Sequence, residues 1–155
     1  MSSTRLRSTL PTARTFVFPT VEDASVPGRP ERCPWPDANL FLAGRMSSLE
    51  TSAEIGTAQV CAQIAGPLEP GAEAPFYAEF NFDEDERYRA EGSARVLTND
   101  VPAAGVVLAG CSLRLLEGPE GFVGGIASSA SIFNPTHDPG AETGSIWTLL
   151  AYFRD

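Results

Sequence analysis

Few side chains in this sequence have the means to do chemistry. Tyr77, Tyr88 and Trp147 each carry one hydrogen-bond donor on an aromatic body. Such a donor, aimed at a conjugated carbonyl in an apolar cavity, stabilises charge developing on the oxygen. Trp35, Phe41, Phe76, Phe80 and Phe133 are the aromatic residues expected to wall a pocket for a hydrophobic substrate. The rest of the catalytic vocabulary is thin. The chain contains no lysine and one histidine, His137. That excludes Schiff-base chemistry and a P-loop. Cys33, Cys61 and Cys111 are too widely spaced in sequence to read as a zinc motif, so no metal and no cofactor is expected. His137 sits in Pro135-Thr-His-Asp-Pro139 and reads as a turn residue rather than a base. Glu79 and Glu91, the carboxylates that could pair as acid and base, fall on a charged strand face and are expected to be solvated.

Composition sets the frame. The chain has 155 residues, 43% apolar and 20% charged, and a net charge of −9. This length makes one domain that buries about two-thirds of its unfolded surface. The acidity disfavours nucleic-acid and anionic-membrane partners, since phosphate contacts come from Arg and Lys. No stretch approaches the roughly 20 apolar residues of a membrane span. Arg5, Arg7 and Arg14 precede the first acid, and no apolar h-region accompanies them, so residues 1–12 read as a flexible tail before a domain over 13–155. Three cysteines, an odd number, argue against a disulfide framework. Cys61 and Cys111 therefore read as small buried hydrophobes in a reducing, cytoplasmic setting.

The positioning elements are strands. Period-two alternation between turn signals predicts eight: 15–20, 40–49, 54–64, 76–82, 87–98, 105–116, 122–133 and 145–153. Short connections favour an antiparallel meander. Eight antiparallel strands close into a β-barrel whose interior holds side chains or one small ligand. The exception among the connections is residues 22–38, with Pro27, Pro30, Pro34 and Pro36. This Pro-rich loop, carrying Trp35, reads either as a cap over the barrel mouth or as a loop packed on the outer wall.

Alternation also assigns faces. Phe76, Phe80 and Phe82 share one side of strand four, and Tyr88, Ala90, Gly92 and Ala94 share one side of strand five. The opposite faces carry Glu79, Arg89, Glu91 and Arg95, so the aromatic faces are expected inside. Ala90, Gly92 and Ala94 are expected to leave room in the lumen. Tyr77 falls on the outward side. In the last strand both faces are apolar: Trp147, Leu149, Ala151 and Phe153 against Ile146, Thr148, Leu150 and Tyr152. Either can line the lumen, and the other suggests a homodimer contact.

Three segments go beyond a generic barrel. Phe76-Tyr-Ala-Glu-Phe-Asn-Phe-Asp leads through an acidic turn to Arg87-Tyr-Arg-Ala-Glu-Gly92. Glu117-Gly-Pro-Glu-Gly-Phe-Val-Gly-Gly125 enters strand seven, and Ile55-Gly56-Thr57 opens strand three. Over residues 40–153 this ordered set resembles the allene-oxide-cyclase-like and dirigent-like β-barrels, including the small Diels–Alderases of spirotetronate polyketide biosynthesis. The resemblance implies an eight-stranded antiparallel barrel with a hydrophobic lumen open at one end. It also implies cofactor-independent cyclisation of a bound linear polyene, and dimerisation. Strand seven departs from those cyclases. It carries Ala127-Ser-Ser-Ala-Ser131 where they place aromatic and cationic side chains.

Three functions fit this sequence. A cyclase needs an open apolar lumen and turns over a linear polyene. A binding or stereochemical-guide barrel holds such a molecule unchanged. A structural barrel is filled, with no cavity above about 300 Å³.

Overall fold

Alternating apolar positions lay down strands with one greasy face, and a sheet of such strands buries that face by curling on itself. The computed structural model describes residues 10–154 and is all-β. It contains β1 (Thr12–Glu22), β2 (Leu40–Ser47), β3 (Glu54–Ala62), β4 (Glu73–Asn81), β5 (Arg87–Thr98), β6 (Val107–Glu117), β7 (Phe122–Phe133) and β8 (Gly144–Phe153). Each strand pairs antiparallel with its sequence neighbours, and β8 returns to β1, closing the barrel. The tail expected over residues 1–12 lies largely outside the described residues, but its last residue does not belong to a tail. Thr12 pairs with Phe153 and opens β1.

Closure removes sheet edges, which sets a problem for proline. Pro19 sits within β1 opposite Ile146 of β8. The β1–β2 seam begins one residue later, at Thr20↔Met46, and runs only through Glu22↔Gly44. Pro75 likewise lies just beyond the last β3–β4 pair, Ala62↔Phe76. Both prolines occupy places where one neighbour's ladder has stopped.

The register fixes the interior. Phe18, Ala58, Ala78, Phe80, Tyr88, Ala90, Leu113, Ala127, Trp147 and Leu149 point into one buried cluster. In β8 the inward face is the one carrying Trp147, Leu149, Ala151 and Phe153. The reading of Gly92 as a space-maker is corrected. A Cβ there would run into the Ser112 carbonyl on β6, so glycine lets two backbones approach closely. At the turn into β7, Gly121 has φ +86°, a left-handed conformation that glycine adopts without steric cost.

The turns 48–53, 82–86 and 118–121 close one end of the barrel. Asp83 makes the β4–β5 turn, its carboxylate accepting the backbone N–H groups of Asp85 and Glu86 at 2.8 Å. The connections 23–39, 63–72, 99–106 and 134–143 gather at the other end.

The connection after β1 takes the second of its two expected courses. It does not cap the mouth. It folds back over the outer wall of β2, β3 and β4. Gln59 donates to the Pro27 carbonyl at 2.7 Å, Gln63 to Asp37 at 2.6 Å, and the Arg29 guanidinium lies 5.2 Å from the Phe41 ring centre. Cys33 and Cys61 form a disulfide that fastens this loop to β3. The expectation of unpaired cysteines is thus corrected, and cysteine usage no longer points to a reducing setting. Cys61 parity points outward, toward the loop, while Cys111 is a buried free thiol facing inward. Glu79 is also corrected. It is 7% exposed, covered by the loop, and accepts the Arg32 backbone N–H at 3.2 Å.

Candidate functional site

The interior divides along its length. The turn end is filled by aromatic rings in mutual contact. Phe16 meets Phe82 and Tyr88, Phe18 meets Phe80 and Phe82, and Phe122 bridges Tyr88 to Phe153, with ring centres 4.9–6.1 Å apart. Arg14 lies over the outer face of this plug, 4.6 Å from the Phe153 ring centre. Edge-to-face arrangements of this kind add about 0.5–1.5 kcal/mol per pair beyond area burial.

Toward the loop end the side chains shorten and the barrel opens. Ala58, Val60, Ala62, Ala74, Ala94 and Ala109 replace rings along the wall, leaving a cavity of about 250 Å³. Apolar cavities of about 150 Å³ hold benzene, so this one admits a larger molecule. It falls below the usual ligand-pocket range, which starts near 300 Å³, and so within the limit set above for a structural barrel. Leu40, Leu42, Phe76, Val96 and Phe133 complete the apolar wall, and Ile64 to Leu68 of the β3–β4 connection form part of the rim. Trp147 is the floor. It packs on Phe80 at 4.9 Å and Phe76 at 6.3 Å, joining the plug to the cavity.

The polar content of the cavity is concentrated on one wall. Ser131 of β7 and Ser145 of β8 are register partners, as are Ser145 and Thr20 of β1. Their hydroxyls are linked. Ser129 and Ser131 are 2.8 Å apart, Ser131 and Ser145 are 2.7 Å apart, and Thr20 donates to the Ser145 carbonyl at 3.4 Å. The Cys111 thiol faces the same group, and burial pushes its pKa up, so it stays protonated. Among the described residues none lining the cavity is cationic. Its two carboxylates, Glu22 and Glu73, are exposed at the last residue of β1 and the first of β4.

The expected site residues therefore separate. Trp147, Phe76 and Phe133 line the cavity. Phe80 is buried directly beneath Trp147. Tyr88 points inward but lies in the plug, beyond the cavity, with its hydroxyl 3.3 Å from Glu86. Its pKa is raised, mainly by burial. Tyr77 faces outward and is fully buried beneath the loop, where its hydroxyl accepts a 2.7 Å bond from Arg89. Burial pushes its pKa up to about 12. Phe41 faces the outer wall under Arg29, and Trp35 lies on that wall beside the disulfide, so neither reaches the cavity. The placing of Tyr77, Tyr88, Phe41 and Trp35 at the substrate is corrected by strand parity and by the path of the loop.

Sequence reading missed Thr20, Ser131 and Ser145. Their signal was present: Ser129 and Ser131 alternate with outward Ala130, and Ser145 shares the parity of Trp147. Comparison of the chain with protein-family models, curated proteins and solved structures finds no match in any of the three.

Proposed function

We propose that this barrel is a cofactor-independent cyclase, folding a linear, unsaturated hydrophobic molecule in its lumen for intramolecular [4+2] or related ring closure. The observation that carries the reading is the lumen itself. It is apolar, open at the loop end, blocked at the turn end, and floored by Trp147. A pericyclic step needs no acid or base. Holding the reacting ends together can contribute about 7–11 kcal/mol at best. The resemblance of the 76–92 and 117–125 segments to allene-oxide-cyclase-like barrels supports the same reading, and a dimer is part of it.

A binding or guide barrel of dirigent type is the second reading. It is favoured by the absence of any charged side chain deep in the lumen among the described residues. One experiment separates the two. Linear polyenes ending in O-alkylated, uncharged tetronates and tetramates are titrated into the protein, followed by tryptophan fluorescence and chromatography of each mixture. Binding with formation of an isomer of equal mass supports the cyclase. Binding without conversion favours the guide, and no binding favours a filled structural barrel or a ligand of another class. Trp147→Leu is expected to abolish turnover or change its product, because it removes the floor. Tyr88→Phe, in the plug, is expected to leave turnover intact. An unaffected Trp147→Leu enzyme would remove Trp147 from the site.

A further inference from the structure

The lumen has two unlike halves, and the difference is more than folding requires. β2, β3 and β4 present Leu40, Leu42, Val60, Ala62 and Phe76, a continuous hydrocarbon wall. Across the barrel, the register brings Thr20, Ser145, Ser131 and Ser129 side by side on β1, β8 and β7. A hydroxyl facing an apolar interior costs more than the alanine or valine that would fit the same place, unless it is hydrogen-bonded. Here the three serine hydroxyls are linked to one another, and the Thr20 hydroxyl donates to the Ser145 carbonyl.

That linkage leaves something over. Ser129, Ser131 and Ser145 hold three hydroxyl protons, and the chain Ser129–Ser131–Ser145 uses two of them. Run from Ser129 to Ser145, the chain leaves its last proton on Ser145, which lines the cavity; run the other way, it leaves that proton on Ser129, beside the Cys111 thiol. Serine hydroxyls rotate freely enough to present it. The surroundings define what can receive it. No cation lies in the lining among the described residues, the exposed carboxylates Glu22 and Glu73 flank the mouth, and the whole chain carries −9. An anion entering this lumen would lose its hydration without a partner.

We propose that the Ser129–Ser131–Ser145 row is the recognition element for a neutral oxygen acceptor, a ketone, ester or lactone carbonyl, carried by a hydrophobic ligand whose hydrocarbon side lies against β2, β3 and β4. This rests on the reading of the lumen as a hydrophobic binding site. It adds the ligand's polar function, its charge and its orientation. In the cyclase, a carbonyl conjugated to the reacting double bond and held here would be activated by the donated hydrogen bond.

The test uses three probes of matched size: cyclooctanone, cyclooctanecarboxylate and cyclooctane. Binding to the full chain is measured by fluorescence in a Trp35→Phe background, which leaves Trp147 as reporter, and by calorimetry of the unmodified chain. Cyclooctanone is expected to bind about three- to tenfold more tightly than cyclooctane, the worth of one neutral hydrogen bond. The carboxylate is expected to bind most weakly of the three. Ser131→Ala combined with Ser145→Ala should remove the ketone's advantage and leave cyclooctane unchanged. The comparison of probes on the unmodified chain stands even if the double variant fails to fold. Equal binding of ketone and hydrocarbon, or a preference for the carboxylate, overturns this proposal while leaving the hydrophobic site standing. Failure of all three to bind overturns the hydrophobic site itself.

Discussion

At the scale of single residues, parity decides which aromatic donors meet a ligand. Tyr77 and Phe76 are chain neighbours, yet one lies under a loop on the outer wall and the other lines the lumen. Tyr77 is fully buried, and its hydroxyl holds Arg89, which in turn pairs with Glu117 at 2.8 Å. This makes it structural, with a pH signature. Burial raises its folded pKa from the ordinary value near 10 to about 12. The fold therefore prefers the neutral phenol. The stability this confers is complete below about pH 10 and is lost as pH climbs toward 12. Tyr88 is shifted in the same direction and adds to the slope. Urea denaturation at about pH 9 and about pH 11.5 is expected to show a marked loss of stability at the higher value. Tyr77→Phe should shrink that loss. An identical pH profile in Tyr77→Phe would mean that Tyr77 does not govern alkaline unfolding. Residue patterns predicted the inward aromatic face of β4 and β5 correctly, because charges at 79, 89, 91 and 95 marked the other face. That logic failed for Glu79 itself. A carboxylate on an outward face is solvated only if nothing covers the face, and what covers it arrives from residues 27–38.

At the scale of elements, all eight strands were legible, since alternation is local and turn residues punctuate it. Pairing was legible too, because short connections leave few alternatives to a meander. The long loop was not. Its prolines exclude regular structure but carry no information about direction, and the choice between mouth and wall rests on contacts distant in sequence. Gln59 and Cys61 on one face of β3, and Gln63 just beyond its end, together receive the loop. The disulfide between Cys33 and Cys61, 28 positions apart, closes a loop of the unfolded chain. Closing a loop of that size is worth about 2–4 kcal/mol through lost entropy of the unfolded state. Replacing both cysteines by serine is expected to lower stability by that amount in guanidinium denaturation, and reductant should mimic it in the parent chain. Ligand dissociation should be unchanged, since the loop lies on the wall and does not gate the mouth. Slower or faster release in the serine variant would restore the lid.

At the scale of the whole molecule, the same strand serves two surfaces. β8 presents Ser145, Trp147 and Leu149 to the lumen, and Ile146, Thr148 and Leu150 to the outside. Its neighbours extend the outer face with Val17 and Pro19 on β1, and Ile126 and Ala130 on β7. Ile146 is 52% exposed, Ile126 57% and Val17 44%. Among the described residues no charged side chain lies within this set, though Arg114 of β6, the register partner of Ile126, borders it, on a molecule whose net charge is −9. Two copies repel each other over most approaches, and least where charge is missing. A twofold arrangement laying this face on itself would bury apolar surface on both copies at once, and a stable interface needs about 800 Å² from each. The expected outcome is a dimer in sedimentation experiments, converted to a monomer by Ile126→Lys with Ile146→Lys. Both positions are solvent-exposed in the single chain, so the variant's melting as a monomer should remain cooperative. A parent chain that is monomeric at every concentration, or a lysine variant that stays dimeric, rejects this face as the contact. If the monomeric variant still prefers a neutral ketone, the inner wall of β8 works without its outer one. If that preference is lost with the dimer, β8 needs a partner behind it to hold Ser145 and Ser131 in register.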